Sequence, residues 1–297
     1  MNLIYHKDWR GNFGDDLNIP FFKTLFPDYE SVLIDKSLYG IGTLLNNVHG
    51  KIKNANIFGS GFGYGDKVDV EWSTTKVFGV RGPLTALALG IDSDKYVIGD
   101  PAMYVGKMPN FLTGGNLYNQ KKVIALHHRT SELWDFEKNN NTDYLFLDPG
   151  IVDIPSYISA IRGADIVYAE SLHGAIIASA FGIPFIPISI RGILDERKWE
   201  DFYSLIHGGT VDAISINSPQ IPILRRIATS KKMRSMKKPQ KLGVSIESKD
   251  IEVLTKEIEV MSSNRKPVIT PTKIIKDIQI KIDLAIENFN DYLNKSR

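Results

Sequence analysis

The stretch Asp165–Ile188, DIVYAESLHGAIIASAFGIPFIPI, admits few folds. Asp165–Ala169 is a β-branched run suited to a buried strand, Ala175–Phe181 is small and apolar with helical periodicity, and Pro184–Ile188 is a second strand. Glu170-Ser171-Leu172-His173-Gly174 therefore falls at the carboxyl mouth of a parallel sheet, where open α/β folds bind their ligands. A helix starting there turns free backbone N–H groups and the positive end of its dipole toward an anion, with His173 at its entrance. Two readings stand for each of the polar residues: Ser171 caps the helix or touches a ligand, and His173 serves a site or fills a gap.

The chain before this stretch repeats the same unit. Asn2–Tyr5 reads as a strand, followed by Gly11-Asn12-Phe13-Gly14-Asp15-Asp16 and a helix over Leu17–Leu25. Asn12 and Asp15 orient a ligand hydroxyl or cap that helix. Ser31–Ile34 reads as a short strand, Thr43–Val48 as a helical piece, and Ala55–Phe58 as a strand entering the glycine loop GSGFGYG. Position 64 of that loop is a tyrosine where a dinucleotide fingerprint needs glycine, which argues against a nicotinamide cofactor; Gly61 belongs to a ligand-facing loop or to a plain glycine turn. Lys76–Val80 is a strand ending at Arg81-Gly82-Pro83, with Pro83 in the first turn of a helix over Leu84–Leu89. Arg81 at that strand end suits a carboxylate or phosphate held by two parallel hydrogen bonds; the other reading is a salt bridge to a neighbouring loop. Asp92-Ser93-Asp94 lies in ordinary turn composition, and Asp100 before Pro101 reads as a turn residue, so no metal site is expected.

Gly106–Gln120 is loop-like and marks a hinge, giving an N-terminal domain over 1–108, a second over 109–220, and a basic segment with C-terminal helices over 221–297. Lys122–Leu126 is a strand ending in His127-His128-Arg129-Thr130. Adjacent residues on a strand point to opposite faces, so at most one of the two histidines is expected beside His173. Arg129 binds an anion or forms a surface ion pair. Tyr144–Asp148 is a strand, Pro155–Arg162 an amphipathic helix, and Asp195–Ile206 a helix with Trp199 and Phe202 facing the core. Ile251–Met261 and Ile274–Leu293 are helical by periodicity.

Composition acts mainly by exclusion. A chain of 297 residues with 43% hydrophobic content suits two domains of about 100–150 residues. A formal net charge of +2 gives no general attraction to polyanions, and no nucleic-acid partner is expected. The absence of cysteine removes disulfides, thiol nucleophiles and thiolate metal sites. The N-terminus becomes charged within ten residues and no apolar run reaches spanning length, so a soluble, cytoplasmic protein is expected. One local cluster stands apart: residues 225–241, RRIATSKKMRSMKKPQK, carry eight basic residues and no acidic one. Such a run is a solvated segment, or is drawn to anionic lipid headgroups at about 1 kcal/mol per basic residue, which would dock the protein at the inner face of the membrane.

Gly11-Asn12-Phe13-Gly14-Asp15, Arg81-Gly82-Pro83, Gly99-Asp100-Pro101 and Glu170-Ser171-Leu172-His173-Gly174, in that order, resemble the polysaccharide pyruvyl transferase family over roughly residues 1–206. The resemblance implies an α/β fold of two Rossmann-like parallel-sheet domains, GT-B-like, with C-terminal helices. It implies phosphoenolpyruvate as co-substrate with no other cofactor, and an acceptor hydroxyl pair on a sugar or lipid-linked oligosaccharide that becomes a pyruvate ketal in exopolysaccharide or cell-surface glycan synthesis. Carried across by position, His173 and Arg81 contact the donor. Many members have an arginine where this chain has Ser171, so either a second cation comes from elsewhere, Arg129 or Arg191, or the donor differs. Ketal formation needs an acid, an anion clamp and a base. His173 is expected neutral in the free protein and protonated when donor binds, because a phosphate oxygen about 4 Å away contributes on the order of 4 kcal/mol at an effective dielectric of 20. Glu170 orients His173, acts as base, or is a structural carboxylate. Two other classes fit the pattern: a GT-B-type nucleotide-sugar glycosyltransferase, and a non-catalytic anion- or membrane-binding relative.

Overall fold

A computed structural model describes residues 2–119, 121–131, 134–135, 143–150, 152–190, 194–216, 244–245 and 248–297. The first half comprises β1 (Asn2–Ile4), α1 (Phe13–Asp16), α2 (Asn18–Leu25), α3 (Tyr29–Val32), β2 (Ser37–Tyr39), β3 (Ala55–Ser60), β4 (Lys76–Val80), α4 (Pro83–Leu89), α5 (Ser93–Tyr96) and α6 (Pro109–Leu112). Its four strands pair in parallel in the order β1-β2-β3-β4. The second half begins with β5 (Lys122–Ala125), α7 (His128–Ser131), β6 (Trp134–Asp135), β7 (Tyr144–Leu147), α8 (Ile154–Arg162) and β8 (Ile166–Ala169). It continues with α9 (Leu172–Ala180), β9 (Phe185–Ser189), α10 (Glu196–Ile206), β10 (Ile214–Ser215), β11 (Val244–Ser245), α12 (Ser248–Ser262) and α13 (Thr272–Ser296). Here five strands pair in parallel in the order β10-β9-β8-β5-β7, while β6 and β11 form a separate short pair. The protein is thus an α/β chain with two parallel sheets and C-terminal helices.

The sequence dictates these elements through burial. Strand β3 is buried at all six positions, as a parallel strand covered on both faces must be, so no exposed positions alternate with its apolar ones and even Asn56 and Ser60 lie inside. Helix α4 opens on Pro83 and closes on Gly90, whose φ of +68° is the left-handed cap that glycine adopts without strain. Helix α9 packs against the 3-10 helix Pro101–Lys107 of the first half as well as against α8, β8 and β9, with every residue but His173 buried, so it has no polar face.

The two halves share one hydrophobic core. Phe13, on the first-half loop, stacks on Tyr157 of α8 with ring centroids 4.0 Å apart. Arg10 pairs with Asp148 beyond β7 at 2.8 Å, and the Phe13 amide donates to the Pro149 carbonyl. On the far side of the second sheet, Ile251, Leu254 and Ile258 of α12 cover Ile124, Leu126 and Ile188. Helix α13 returns to the first sheet, where fully buried Phe289 meets the rings of Phe26 and Phe78 at 4.8 and 4.7 Å.

Several local expectations are corrected. Residues 31–34 do not form a strand: Tyr29–Val32 is one turn of helix, and the strand comes later at Ser37–Tyr39. Tyr29 is buried in the core, and a tertiary anchor outweighs the strand propensity of the three apolar residues Val32, Leu33 and Ile34. The helix expected over 43–48 shrinks to a 3-10 turn, Asn47–His49, capped by the Asn46 side chain. Part of the expected hinge, 106–120, is regular: a 3-10 helix runs over Pro101–Lys107 and α6 follows. Arg191 and the basic run 225–241 lie outside the described residues. Among the described residues, no helix is long and apolar enough to cross a membrane.

Candidate active site

The carboxyl ends of both sheets face a common cleft of about 340 Å³. The first half contributes Asn12 and Asp15 from α1 and its cap, Thr43 from the loop after β2, and Tyr64 from the loop after β3. The second contributes His127, His128 and Arg129 after β5, Ser171 and His173 after β8, and Lys198 from α10.

His173 is seated by the glycine of the first loop. A Cβ on Gly14 would fall 1.9 Å from the imidazole Nδ1, so the loop closes over the ring only because that residue has no side chain. Ser171 accepts the Gly174 amide at 3.1 Å and lies 3.3 Å from the Tyr157 hydroxyl, so it caps α9 while also lining the cleft. Burial, then the nearby charges of Arg81 and Lys198, lowers the His173 pKa to about 3, so the ligand-free imidazole is neutral. Facing the ring is Asp100, whose Oδ2 lies 4.0 Å from Nε2.

Asp15 is 7% exposed and its Oδ2 accepts from the Asn12 side-chain Nδ2 at 2.5 Å. Burial raises its pKa to about 7, with Asp16 adding to the shift and the Asn12 bond and Lys198 opposing it. A carboxyl balanced near neutrality in a cleft suits general-base work. His128 is pushed down to about 4 by burial and by Arg129, so it is neutral and presents hydrogen-bonding nitrogens rather than charge. The Lys198 ammonium sits 2.5 Å from the Tyr64 hydroxyl. Tyr64 itself has a φ of +51°, the left-handed region that bulky residues rarely occupy, and this backbone is what turns its ring toward α10.

Residues 9–192, more than half of the chain, match the family model described as polysaccharide pyruvyl transferase. The chain belongs to the polysaccharide pyruvyl transferase family. It is also 33% identical over 207 residues to the succinoglycan biosynthesis protein ExoV of Rhizobium meliloti (strain 1021). That match covers 68% of this chain and 64% of the relative, so the chain spans just under two thirds of the relative's length.

The placement of the four family motifs assigns them different tasks. The GNFGD loop and the SLHG turn meet in the cleft, His173 against Gly14. The RGP motif does not line it: Arg81 is 1% exposed and donates from Nε to Asp201 of α10 at 2.9 Å, from Nη1 to Thr43 at 3.0 Å and from Nη2 to the Phe62 carbonyl at 2.8 Å. Asp201 also accepts from the Thr85 amide and hydroxyl, and a Cβ on Gly82 would lie 2.2 Å from the Asp201 carbonyl oxygen. The motif is therefore a socket for α10, one turn from the Lys198 that enters the cleft. Of the two readings open for Arg81, the placement is that of an ion pair, to a helix rather than a loop.

Gly61 likewise sits behind the wall, where a Cβ would fall 2.1 Å from the Arg81 guanidinium carbon; its loop reaches the cleft through Tyr64 instead. Glu170 does not line the cleft either. It accepts from the His127 amide, the Thr130 hydroxyl and the Ile190 amide, tying the loop after β5 to the end of β9. Both His127 and His128 line the cleft, contrary to the alternation argument, because β5 ends at Ala125 and His128 already starts α7. Asp100 does cap a turn, through Oδ1 to the Ala102 amide, yet it is fully buried beneath His173, which the turn reading missed. Lys198 was hidden as one charge among many in DERKWED; its spacing of three from Asp201 was the available signal.

Proposed function

We propose that this protein transfers pyruvate from phosphoenolpyruvate to a hydroxyl pair on a sugar, leaving a pyruvate ketal and inorganic phosphate in the synthesis of an exopolysaccharide or cell-surface glycan. One observation carries the reading: His173, alone on an otherwise buried helix, meets a cleft that also holds the cations Lys198 and Arg129 and the near-neutral carboxyl of Asp15. A small phosphorylated acid needs that inventory, and the cleft volume lies at the small-ligand end of the usual range of ~300–1,000 Å³.

In this reading Lys198 and Arg129 hold the donor's phosphate and carboxylate, and Lys198 takes the place expected for Arg81. Donor charge about 4 Å from the imidazole contributes on the order of 4 kcal/mol, which moves His173 from a pKa of about 3 toward neutrality and loads it with a proton. His173 gives that proton to the methylene carbon of the enol phosphate. Asp15 takes the proton of the attacking hydroxyl, with Asn12 holding the acceptor edge. The C–O bond to phosphate then breaks, the departing phosphate takes the proton held by Asp15, and the second hydroxyl closes the ketal as its own proton returns to His173. Two parallel sheets whose carboxyl ends face one cleft suit this division of labour, one sheet for the acceptor and one for the donor, as a GT-B-like fold would provide. ExoV, a protein of succinoglycan biosynthesis, supports the same setting. A lipid-linked acceptor would bring the protein to the inner membrane face, with 225–241 as the basic contact.

The reaction is tested by mixing protein, phosphoenolpyruvate and a panel of oligosaccharide acceptors, then following phosphate release and the ketal methyl signal by NMR. Transfer by the native protein and loss with His173→Gln support the reading. Consumption of nucleotide sugars with phosphoenolpyruvate untouched replaces it with a glycosyltransferase.

A further inference from the structure

We propose that Asp100 and His173 act as one proton-holding pair, with Asp100 the positioning residue that fixes the imidazole and decides which of its nitrogens carries the exchangeable proton. The inference starts from two buried atoms that lack hydrogen-bond partners, His173 Nε2 and Asp100 Oδ2. They face each other at 4.0 Å. Leaving either polar atom unsatisfied in the interior is costly, and a closure of about 1 Å satisfies both at once.

The surroundings support a pair rather than two separate groups. Asp100 Oδ1 is committed to the Ala102 amide at 2.9 Å, so Oδ2 alone is available to the ring. On the opposite edge of the imidazole, Nδ1 faces the backbone of Gly14, where a Cβ would fall 1.9 Å away, so it is the glycine that leaves room beside this nitrogen. The charged groups that act on the pair are Arg81 at the end of β4 and Lys198 and Asp201 on α10, and Asp15 of α1 lines the same cleft. Burial raises Asp100 to about 6, against Arg81 and the Ala102 amide and with Asp201, while burial, Arg81 and Lys198 lower His173 to about 3. The first proton taken up as pH falls therefore belongs to the pair and arrives near pH 6.

With Asp100 ionised, its carboxylate accepts from Nε2–H. Nδ1 is then the nitrogen that gains a proton from solvent when an anionic donor enters, and that gives it up. On transfer, the Nδ1–H bond breaks, a C–H bond forms at the donor's methylene carbon, and Nε2–H stays on Asp100. Only this last step rests on the proposed pyruvyl transfer.

The test is long-range ¹H–¹⁵N NMR of histidine-labelled protein at pH 8, comparing native chain with Asp100→Asn. The asparagine keeps the shape and the Ala102 bond but offers an N–H to Nε2 in place of an acceptor. The native protein is expected to hold His173 as the Nε2–H tautomer and the variant as Nδ1–H, with kcat lowered ~100-fold and KM for phosphoenolpyruvate little changed. The same tautomer in both proteins overturns the pair. Should Asp100→Asn fail to fold, the native protein decides: the His173 nitrogens shift together with an inflection near pH 6 if the pair exists, and are flat there if it does not. A native protein that shows the tautomer but never consumes phosphoenolpyruvate sinks the transferase reading and leaves the pair standing.

Discussion

Replacing Arg81 with methionine tests the claim that the RGP motif is a socket rather than a ligand contact. The ion pair it breaks is dry, with both side chains 1% exposed and Nε 2.9 Å from Oδ2 of Asp201. Methionine leaves a buried carboxylate with only the Thr85 amide and hydroxyl to satisfy it. Stranding one member of such a pair costs about 3–5 kcal/mol, a large share of the ~5–15 kcal/mol that holds most proteins folded. Asp201→Asn strands the guanidinium instead and should cost a similar amount. The double variant Arg81→Met/Asp201→Asn removes both charges and keeps the Thr85 bond, so its loss should fall at least about 2 kcal/mol short of the sum of the singles. Urea unfolding of the four proteins measures this cycle. A cost for Arg81→Met below about 1 kcal/mol, or strict additivity, refutes the socket. Binding provides an internal check: because α10 carries Lys198 into the cleft, loosening Asp201 should weaken anion binding even though neither Arg81 nor Asp201 lines the cleft.

Three further expectations follow from single positions. Gly14→Ala places a Cβ where Nδ1 of His173 now sits, so it should abolish turnover while shifting the melting temperature far less than Arg81→Met does; a fully active alanine variant contradicts the seating of the ring. Asp15 has its folded pKa raised from 3.8 to about 7, so its relative stabilisation is complete below about pH 4 and is lost as pH rises through 7. Asp15→Asn should therefore be inactive yet more stable than native at pH 8, by up to about 4 kcal/mol, and no more stable at pH 4, as read from denaturant midpoints at the two pH values. Phe289→Ala, removing a fully buried ring shared with Phe26 and Phe78, should cost about 3–5 kcal/mol and release α13 to proteolysis; an unchanged midpoint would contradict its role in clamping the first sheet.

The stretch 165–188 was legible because burial on both faces leaves a continuous apolar run, and a strand, a helix and a second strand in so few residues have one parallel arrangement. Residues 31–34 and 43–48 were not legible, because their conformation is set by Tyr29 and Asn46, one anchored in the core and the other bonded both to the nearby Thr43 carbonyl and to that of Gly63 on the next loop. In the site, His173, Asn12, Asp15, Ser171 and Arg129 all line the cleft, since each sits at a strand's carboxyl end or on the helix after it, a position that sequence order alone identifies. Arg81 and Glu170 occupy equivalent positions in the sequence and turn away. What distinguishes them is a partner many residues off, Asp201 for one and the Ile190 amide for the other, and local pattern carries no trace of it. Lys198 and Asp100 were missed for the converse reason: a surface-like charge run and a turn-like Asp-Pro pair became site residues only through packing against the other half.

The central claim is that this cleft takes a small phosphorylated acid and answers its charge with a proton on His173. Calorimetric titration with phosphoenolpyruvate at pH 7, repeated in buffers of different ionisation enthalpy, measures both parts at once. The account predicts saturable binding accompanied by uptake of a fraction of a proton per site that grows as the titration is repeated toward pH 6, since about 4 kcal/mol lifts His173 from about 3 by roughly three pKa units, with the uptake lost in His173→Gln. Binding without any buffer dependence, or no binding by a protein that does bind a nucleotide sugar, contradicts it.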